Sequence, residues 1–529
     1  MNIFGFEINR KKAEPQQTEP AALFPAGALW GIDFDGELDP GQMSDLYIYD
    51  VDYYTMSKKA HTLVTINEFA KTGLTRLTQF AVSTGLKCYP EPAKEFLRQE
   101  CNVDLPEDFG KKIQMRWNLL EQDKNISVTK DQTLHDLAKT VYTHAKIDGD
   151  VLVVKRIIDG FLEYQIINGQ SVRSSKSTNG DNKIIDGVEI DKNGKHIAYY
   201  VIGKDGRETR IAARDGKDRL LAWLVYNNHK RINGVRGYSE FGAIMQKLHK
   251  IGEYSNAEVI AANVNAKFAV KIEQDKNSSG VNPFKALPAG VPKSLRGMLP
   301  SAESPGASKA EVDKFVRNIR KQPSAIAFHV PIGQKLDSFD TKRPNVNYAG
   351  FLDASMKYNY ASIGCPLEIA LLVFQNNYSA SRASLKMFEM ILKYDRKYIL
   401  EDQFYQIVYA QNFELECLKG NIKAPKYLEL KNDKGYIDNA YTKAKFVGVS
   451  IPHVDEVKEV NAVISKLKAC LITYEQAVES LGNPVDFDTL IEKRKQEERK
   501  LRDAGLTPEG LFAPDPGSNS DDKNAQDKE

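Results

Sequence analysis

Between Ile66 and Val82 the apolar residues fall at helical spacing, with Phe69, Leu74, Leu77, Phe80 and Ala81 on one face. Gly85 and Pro90 follow as stop signals. Two more helices are predicted over Asp108 to Glu121, carrying Ile113, Trp117 and Leu120 inward, and over Leu134 to Ala145, carrying Leu134, Leu137, Val141 and Tyr142. After Asp148-Gly149-Asp150 the pattern becomes strand-like. Val151-Leu152-Val153-Val154 is a short apolar run, and Asp159-Gly160 is a hairpin turn into Leu162 to Ile167. Further strands are expected at Gly187 to Ile190, at Ile197 to Ile202 after an Asn193-Gly194 turn, and at Leu220 to Tyr226. Helices flanking an antiparallel unit give the fold class α+β.

Ser239 to Lys267 is predicted as a long helix with Ile244, Leu248, Ile251, Val259 and Ala262 inward. Phe268 to Asp340 is rich in Gly and Pro and cannot hold a long regular element. Within it a short helix is expected over Ser308 to Lys321, where Ser308 and Glu311 fit a capping box, and strands over Ala325 to Val330 and Lys335 to Phe339. A helix over about Asn345 to Ile363 ends at Gly364, with Pro366 just beyond. Polar Gln375-Asn376-Asn377 precedes one long helix from Ser379 to Phe413. Helices at Val454 to Leu467, Thr473 to Leu481 and Asp488 to Ala504 close the ordered chain; from about Pro514 the residues are too polar to build a core.

Composition narrows the function class. The 529 residues allow several substructures and a sizeable core. With 73 Lys and Arg against 71 Asp and Glu, the net charge of +2 excludes a nucleic-acid binder held by bulk charge. Any DNA contact has to come from local patches. Cys88, Cys101, Cys365, Cys417 and Cys470 are far apart, giving neither a zinc cage nor a disulfide framework and suiting a reducing compartment. No apolar stretch reaches the length of a membrane helix. Met1 to Pro25 lacks the apolar core of a signal peptide and is expected to be a flexible arm.

Catalytic signals are absent: there is no phosphate-binding glycine loop, no His-Glu-x-x-His and no Gly-x-Ser-x-Gly. His135 and His144 share a helix but only loosely share a face, and the eight histidines are scattered. Asp148, Asp150 and Asp159 would suit a metal-dependent nuclease centre, yet Asp-Gly pairs beside a strand more commonly make turns. No enzyme, cofactor or metal is expected.

The order of several segments resembles the lambda-type portal family of tailed bacteriophages. A Trp117-bearing helix, a second helix and Asp148-Gly149-Asp150 lead into a valine-rich strand. Gly187-Val188-Glu189-Ile190-Asp191 and Ile197-Ala198-Tyr199-Tyr200-Val201 follow, and then Gly234-Val235-Arg236-Gly237, where the family has a basic Gly-x-Arg-Gly segment. Ile363-Gly364-Cys365-Pro366 resembles the family's helix stop. Asn377-Tyr378-Ser379-Ala380-Ser381-Arg382-Ala383 differs from the family's Asn-Tyr-Ser-Ser-Ala-Arg by an exchange of Ser and Ala. Val454 to Glu459 and Ala504-Gly505-Leu506 match at the C-terminal end, so the resemblance spans roughly 60 to 507.

The resemblance implies a portal fold. Its parts would be a flexible arm at 1–25, a mixed helix and antiparallel-sheet wing at 26–240 and 379–452, and stem helices at 241–267 and 341–363. An α/β clip would occupy 268–340, a tunnel-loop region 364–378, a helical crown 453–507 and a disordered tail 508–529. It further implies a homo-oligomeric ring, twelve subunits in the family, at the capsid portal vertex of the virion. The ring would be assembled in the host cytoplasm and pass double-stranded DNA in packaging and ejection. Expected partners are the major capsid protein, the terminase large subunit, a head–tail adaptor and a scaffolding protein, with no membrane. Gln375, Asn376, Asn377 and Tyr378 are the expected channel loop, an ordinary helix connection being the other reading, and Lys357 is a candidate channel-lining residue. Lys293, Arg296, Lys314, Arg317, Arg320 and Lys321 form a candidate clip patch for DNA or an acidic partner, or else a solvated helix face. A head–tail connector and a metal-dependent nucleic-acid enzyme are the alternatives. The first should lack the helix, Pro/Gly insertion, returning helix and Asn-Tyr-Ser series together; the second needs Asp148 and Asp150 to bind magnesium.

Overall fold

The computed structural model describes residues 2–3, 6–7, 53–227, 234–265, 270–274, 334–338, 347–374, 378–431, 436–449, 456–481 and 487–505. The chain divides into a unit formed by Met1–His249 with Ser355–Glu529 and a second formed by Lys250–Ala354.

In the first unit, helix α1 (Tyr53–Ile66) and helix α2 (Glu68–Val82) meet at Asn67. The Asn67 side chain accepts from the amides of Phe69 and Ala70, both at 3.0 Å, so it caps α2. The sequence pattern places the start of helix near Ile66 but misses α1. The buried face of α1 is Tyr53, Met56, Ser57, Ala60 and Leu63, a stripe diluted by small and polar residues. Helix α4 (Phe109–Leu120) lies where predicted, and helix α5 (Leu134–Asp148) runs three residues beyond the expected end. A reciprocal Thr133–Asp136 capping box starts α5, and Gly149 ends it with φ +94°.

Strand β4 (Asp150–Ile158) pairs antiparallel with β5 (Phe161–Asn168) through the expected Asp159-Gly160 turn, both residues having positive φ. The second partner of β4 is β11 (Ala222–Tyr226). A separate five-stranded antiparallel meander runs in the order β10-β9-β8-β7-β6: Glu208–Ala212, His196–Ile202, Val188–Ile190, Asn182–Ile185 and Thr178–Asn179. Leu152 and Val154 on β4 and Ala222 and Leu224 on β11 form one buried cluster with Val172, Val188, Tyr199, Ala213 and Val235. α5 packs on β4 as well. Burial on both faces explains why β4 begins as a continuous apolar run rather than an alternating one.

The expected long helix after residue 378 is one helical rod from 378 to 418, with a correction. It is α-helical over Tyr378–Asp395 and Gln406–Leu418, but π-helical over Arg396–Tyr405. Trp223 donates Nε1–H to the Gln403 carbonyl at 2.8 Å, filling an acceptor in the widened segment. Gln403 then turns its side chain onto the edge strand β11, accepting from the Tyr226 amide at 2.8 Å and donating to the Tyr226 carbonyl at 3.1 Å. Trp117 of α4 packs edge-on against Tyr409 of this rod, ring centroids 5.4 Å apart, and near Phe446 of β14 (Ala444–Val447). β14 pairs with β3 (Lys87–Pro90).

The helix expected from Ser239 starts as turns, and helix α6 spans Met245–Asn265. The returning helix spans Tyr348–Ser362, and Gly364 with φ +73° stops it as expected. In the second unit Tyr254 packs against Tyr348 and Phe351, centroids 5.5 and 5.6 Å away, and Tyr348 donates its hydroxyl to Ser255 Oγ at 2.9 Å. The same unit holds an antiparallel pair, Val270–Gln274 with Gln334–Ser338. Its second strand coincides with the piece expected at Lys335 to Phe339. The helix expected at Ser308 to Lys321 and the strand at Ala325 to Val330 lie outside the described residues.

Candidate functional site

The structural centre of the first unit is the turn where α5 becomes β4. Asp150 is fully buried and faces Arg236 of the Gly-Val-Arg-Gly segment, whose side chain is 3% exposed. Arg236 donates from Nη2 to Asp150 Oδ1 at 2.7 Å and from Nε to Oδ2 at 2.8 Å. Its remaining donors reach the carbonyls of Gly169, Val172 and Asp186 at 2.7, 3.0 and 2.9 Å. Asp150 also accepts the Gly237 amide at 2.8 Å and the Tyr53 hydroxyl at 2.9 Å. The guanidinium lies 3.7 Å from the Tyr53 ring centroid. A buried ion pair costs desolvation, and here every polar atom of the pair is matched, the condition under which such a pair persists. Burial alone would lower the Arg236 pKa, but the Asp150 carboxylate outweighs it and raises it. The flanking glycines follow from contact: a Cβ on Gly149 would lie 2.5 Å from the Gly237 carbonyl carbon.

Two residues before Asp150 a different cluster forms. Asp148, also buried, accepts from Ser57 Oγ, and Ser57 Oγ in turn accepts from Gln170 Nε2 at 2.7 Å. His61 Nε2 lies 2.8 Å from Asp148 Oδ1, and His144 Nδ1 lies 3.3 Å from Oδ2. Burial pushes the Asp148 carboxyl up, yet the hydrogen bonds from His144 and Ser57 and the close His61 imidazole hold it below its ordinary value. The Asp148 contact raises the His61 imidazole against the opposing effect of burial.

A third buried network ties α5 to the rod. Lys146 Nζ is 3.0 Å from Asp395 Oδ2 and 3.2 Å from Glu240 Oε2, and Tyr142 donates its hydroxyl to Asp395 at 2.6 Å.

The carboxylates considered for a nuclease centre therefore separate. Asp150 is occupied by Arg236, Asp148 by Ser57 and two imidazoles, and Asp159 sits at the far end of a nine-residue strand, about 30 Å away. His135 and His144 do not meet either. His135 Nδ1 is 3.0 Å from the Tyr405 hydroxyl, whereas His144 faces Asp148. His61, not singled out in the sequence, joins the cluster because α1 packs on α5.

Of the channel-loop residues, Gln375, Asn376 and Asn377 lie outside the described residues, and Tyr378 opens the rod. Lys357 is exposed on the returning helix. Lys293, Arg296, Lys314, Arg317, Arg320 and Lys321 lie outside the described residues. Two motifs read separately in the sequence are joined: Arg382, the last residue of Asn377-Tyr378-Ser379-Ala380-Ser381-Arg382, pairs with Glu459 of the C-terminal motif at 2.9 Å, and Lys386 adds a contact at 3.3 Å.

The chain is 19% identical over 509 residues to the portal protein of Escherichia phage N15, covering 93% of this chain and 92% of that one. It is 19% identical over 353 residues to portal protein B of Escherichia phage lambda, covering 65% of this chain and 64% of the relative. Among solved structures, a chain in the neck of an empty gene transfer agent particle computed with C6 symmetry is 10% identical. It superposes with a TM-score of 0.40 over 80% of this chain and 92% of that one. The family model for phage portal proteins of the lambda family matches residues 42–396, more than half of the chain, and includes both the Asp150–Arg236 pair and the start of the rod. The chain belongs to the lambda family of phage portal proteins.

Proposed function

We propose that twelve copies close into a ring at one capsid vertex and that double-stranded DNA passes through its channel in packaging and ejection. In this reading 26–240 and 379–452 are the wing, 241–267 and 341–363 the stem, 268–340 the clip and 453–507 the crown. The observation that carries it is that Lys250–Ala354 forms its own compact unit, in which α6 and the returning helix pack together through Tyr254, Tyr348 and Phe351. Two paired helices that carry an insertion suit a stem leading to a clip. Leu371, Leu372, Val373 and Phe374 are each about half exposed in succession, and a neighbouring copy would cover them.

Gln375, Asn376, Asn377 and Tyr378 follow directly and would brush the DNA. Amides and a phenol contact phosphates without holding them, whereas a ring of added lysines would trap a sliding duplex. Lys357 would line the channel, and the basic residues of 293–321 would receive the terminase large subunit or the head–tail adaptor. The capsid protein and a scaffolding protein would contact the ring from outside.

Native mass spectrometry with negative-stain imaging tests the ring. Closed particles of twelve chains with a central hole are expected, and a chain that stays monomeric with scaffold present would refute the reading. Replacing Asn376 and Asn377 by lysine should then slow DNA packaging while leaving ring mass unchanged. Unaltered packaging would remove the loop from the channel.

A further inference from the structure

The chemistry of the Asp148 cluster goes beyond a hydrogen-bonded corner. We propose that His61, His144 and Asp148 bind one Zn2+ ion per chain, stapling α1 to the C-terminal end of α5.

Three observations lead there. One nitrogen from each imidazole and one carboxylate oxygen lie within 4.8 Å of one another, so an ion at about 2.0–2.2 Å from each is reached by small side-chain rotations. Next, His61 Nε2 is buried and only 2.8 Å from Asp148, yet it makes no aligned hydrogen bond. Its N–H direction misses the carboxylate, so the nitrogen is placed close to the oxygen without using its lone pair or its proton well. Finally, Asp148 differs from the other buried aspartates. Asp150 is matched by Arg236 and Asp395 by Lys146, whereas among the described residues no lysine or arginine pairs with Asp148. It also sits in the last turn of α5, where the helix dipole favours a cation.

The ligand set selects the ion. Two imidazoles and one carboxylate suit zinc and its borderline neighbours and disfavour magnesium and calcium, which prefer oxygen. The Ser57 hydroxyl and, behind it, Gln170 form the outer layer that orients the carboxylate. Both imidazoles are about one-third exposed, so the ion can enter from solvent and a water can complete the tetrahedron.

Untagged full-length protein, stripped with a chelator and dialysed, is titrated with ZnCl2 by calorimetry and with CoCl2 by visible absorption. One ion per chain is expected, with a cobalt spectrum of tetrahedral intensity and a rise in Tm. The His61→Ala/His144→Ala double variant should bind at least about 100-fold more weakly, whereas His135→Ala should bind as the parent does. X-ray absorption of the zinc-loaded parent should show imidazole scattering, a readout that needs no variant to fold. Absence of stoichiometric binding at micromolar zinc would leave only a hydrogen-bonded triad, and undiminished binding by the double variant would place the ion elsewhere; either outcome overturns the proposal. Ring formation is read from the same samples by mass, so failure of the zinc site and failure of the portal-ring reading are separate results.

Discussion

At the scale of single residues, burial decides which charged groups matter. Arg236 and Arg210 both pair with carboxylates, but Arg236 is 3% exposed and Arg210 is 41% exposed. Lysine cannot supply the bidentate contact to Asp150 together with three carbonyl contacts. Arg236→Lys should therefore cost about 3–5 kcal/mol, and Arg210→Lys about 1 kcal/mol or less, read as separate falls in Tm. Glu121 gives a pH dependence. Burial raises its carboxyl to about 7 against the opposing Lys87 charge, and its Oε2 has no hydrogen-bond partner. Around it stand Lys87 and Cys88 of β3, Trp117 of α4, His135 of α5 at 3.7 Å and Tyr405 of the rod. A carboxyl whose pKa is raised by folding contributes stability below its ordinary value of 4.5 and loses it as pH climbs through about 7. Glu121→Gln should thus be about 1–2 kcal/mol more stable than the parent at pH 8 and lose that advantage at pH 5, by denaturant titration at both pH values.

At the scale of elements, the regular amphipathic helices and the hairpin were legible because their signals are local. α4, the core of α5 and the Asp159-Gly160 turn need only spacing and turn chemistry. The short strands of the five-stranded meander were partly missed, since β6 is exposed and polar and β7 and β10 are brief and only partly buried. The π-helical segment at Arg396–Tyr405 was not legible at all. Nothing in a periodic stripe signals one extra residue per turn; what stabilises it is Trp223 and the β11 edge. Gln403→Ala should cost about 1–3 kcal/mol by removing both side-chain hydrogen bonds to the Tyr226 backbone. Amide exchange of 222–226 should quicken, while that of the meander strands stays as in the parent.

At the scale of the whole molecule, two long-range ties hold distant parts of the first unit together. Lys146 joins α5 to Asp395 on the rod, and Arg382 near the rod's start joins Glu459 of a C-terminal helix. Both tie the rod to elements far away in sequence, one near its start and one near its middle. The near-zero net charge fits the proposed ring as well, since a DNA channel works with local, weak contacts rather than a global positive field. The portal itself is a structural component of the virion, not an enzyme. Three of its buried carboxylates serve as joints: Asp150, Asp395 and Asp148 are each matched by a cation, a hydroxyl or an imidazole on another element.

The sequence by itself determined the mixed helix and antiparallel-sheet class, most helix and turn positions, and the family. The class and the element positions are carried by residues a few positions apart, where backbone period and turn chemistry act, whereas the family was read from a resemblance in the order of motifs along the chain. Only the tertiary structure decided which charges meet. Arg236 and Asp150 are 86 residues apart, Ser57 and Asp148 91, and the two buried aspartates, two positions apart in sequence, acquired different surroundings. The alternation of a strand sends Asp150 into the interior toward Arg236, while Asp148, still on the last turn of α5, faces α1 and its histidine. That division follows from a helix ending at Gly149, and its chemical consequence appears only once α1 and the Gly-Val-Arg-Gly segment pack on either side of it.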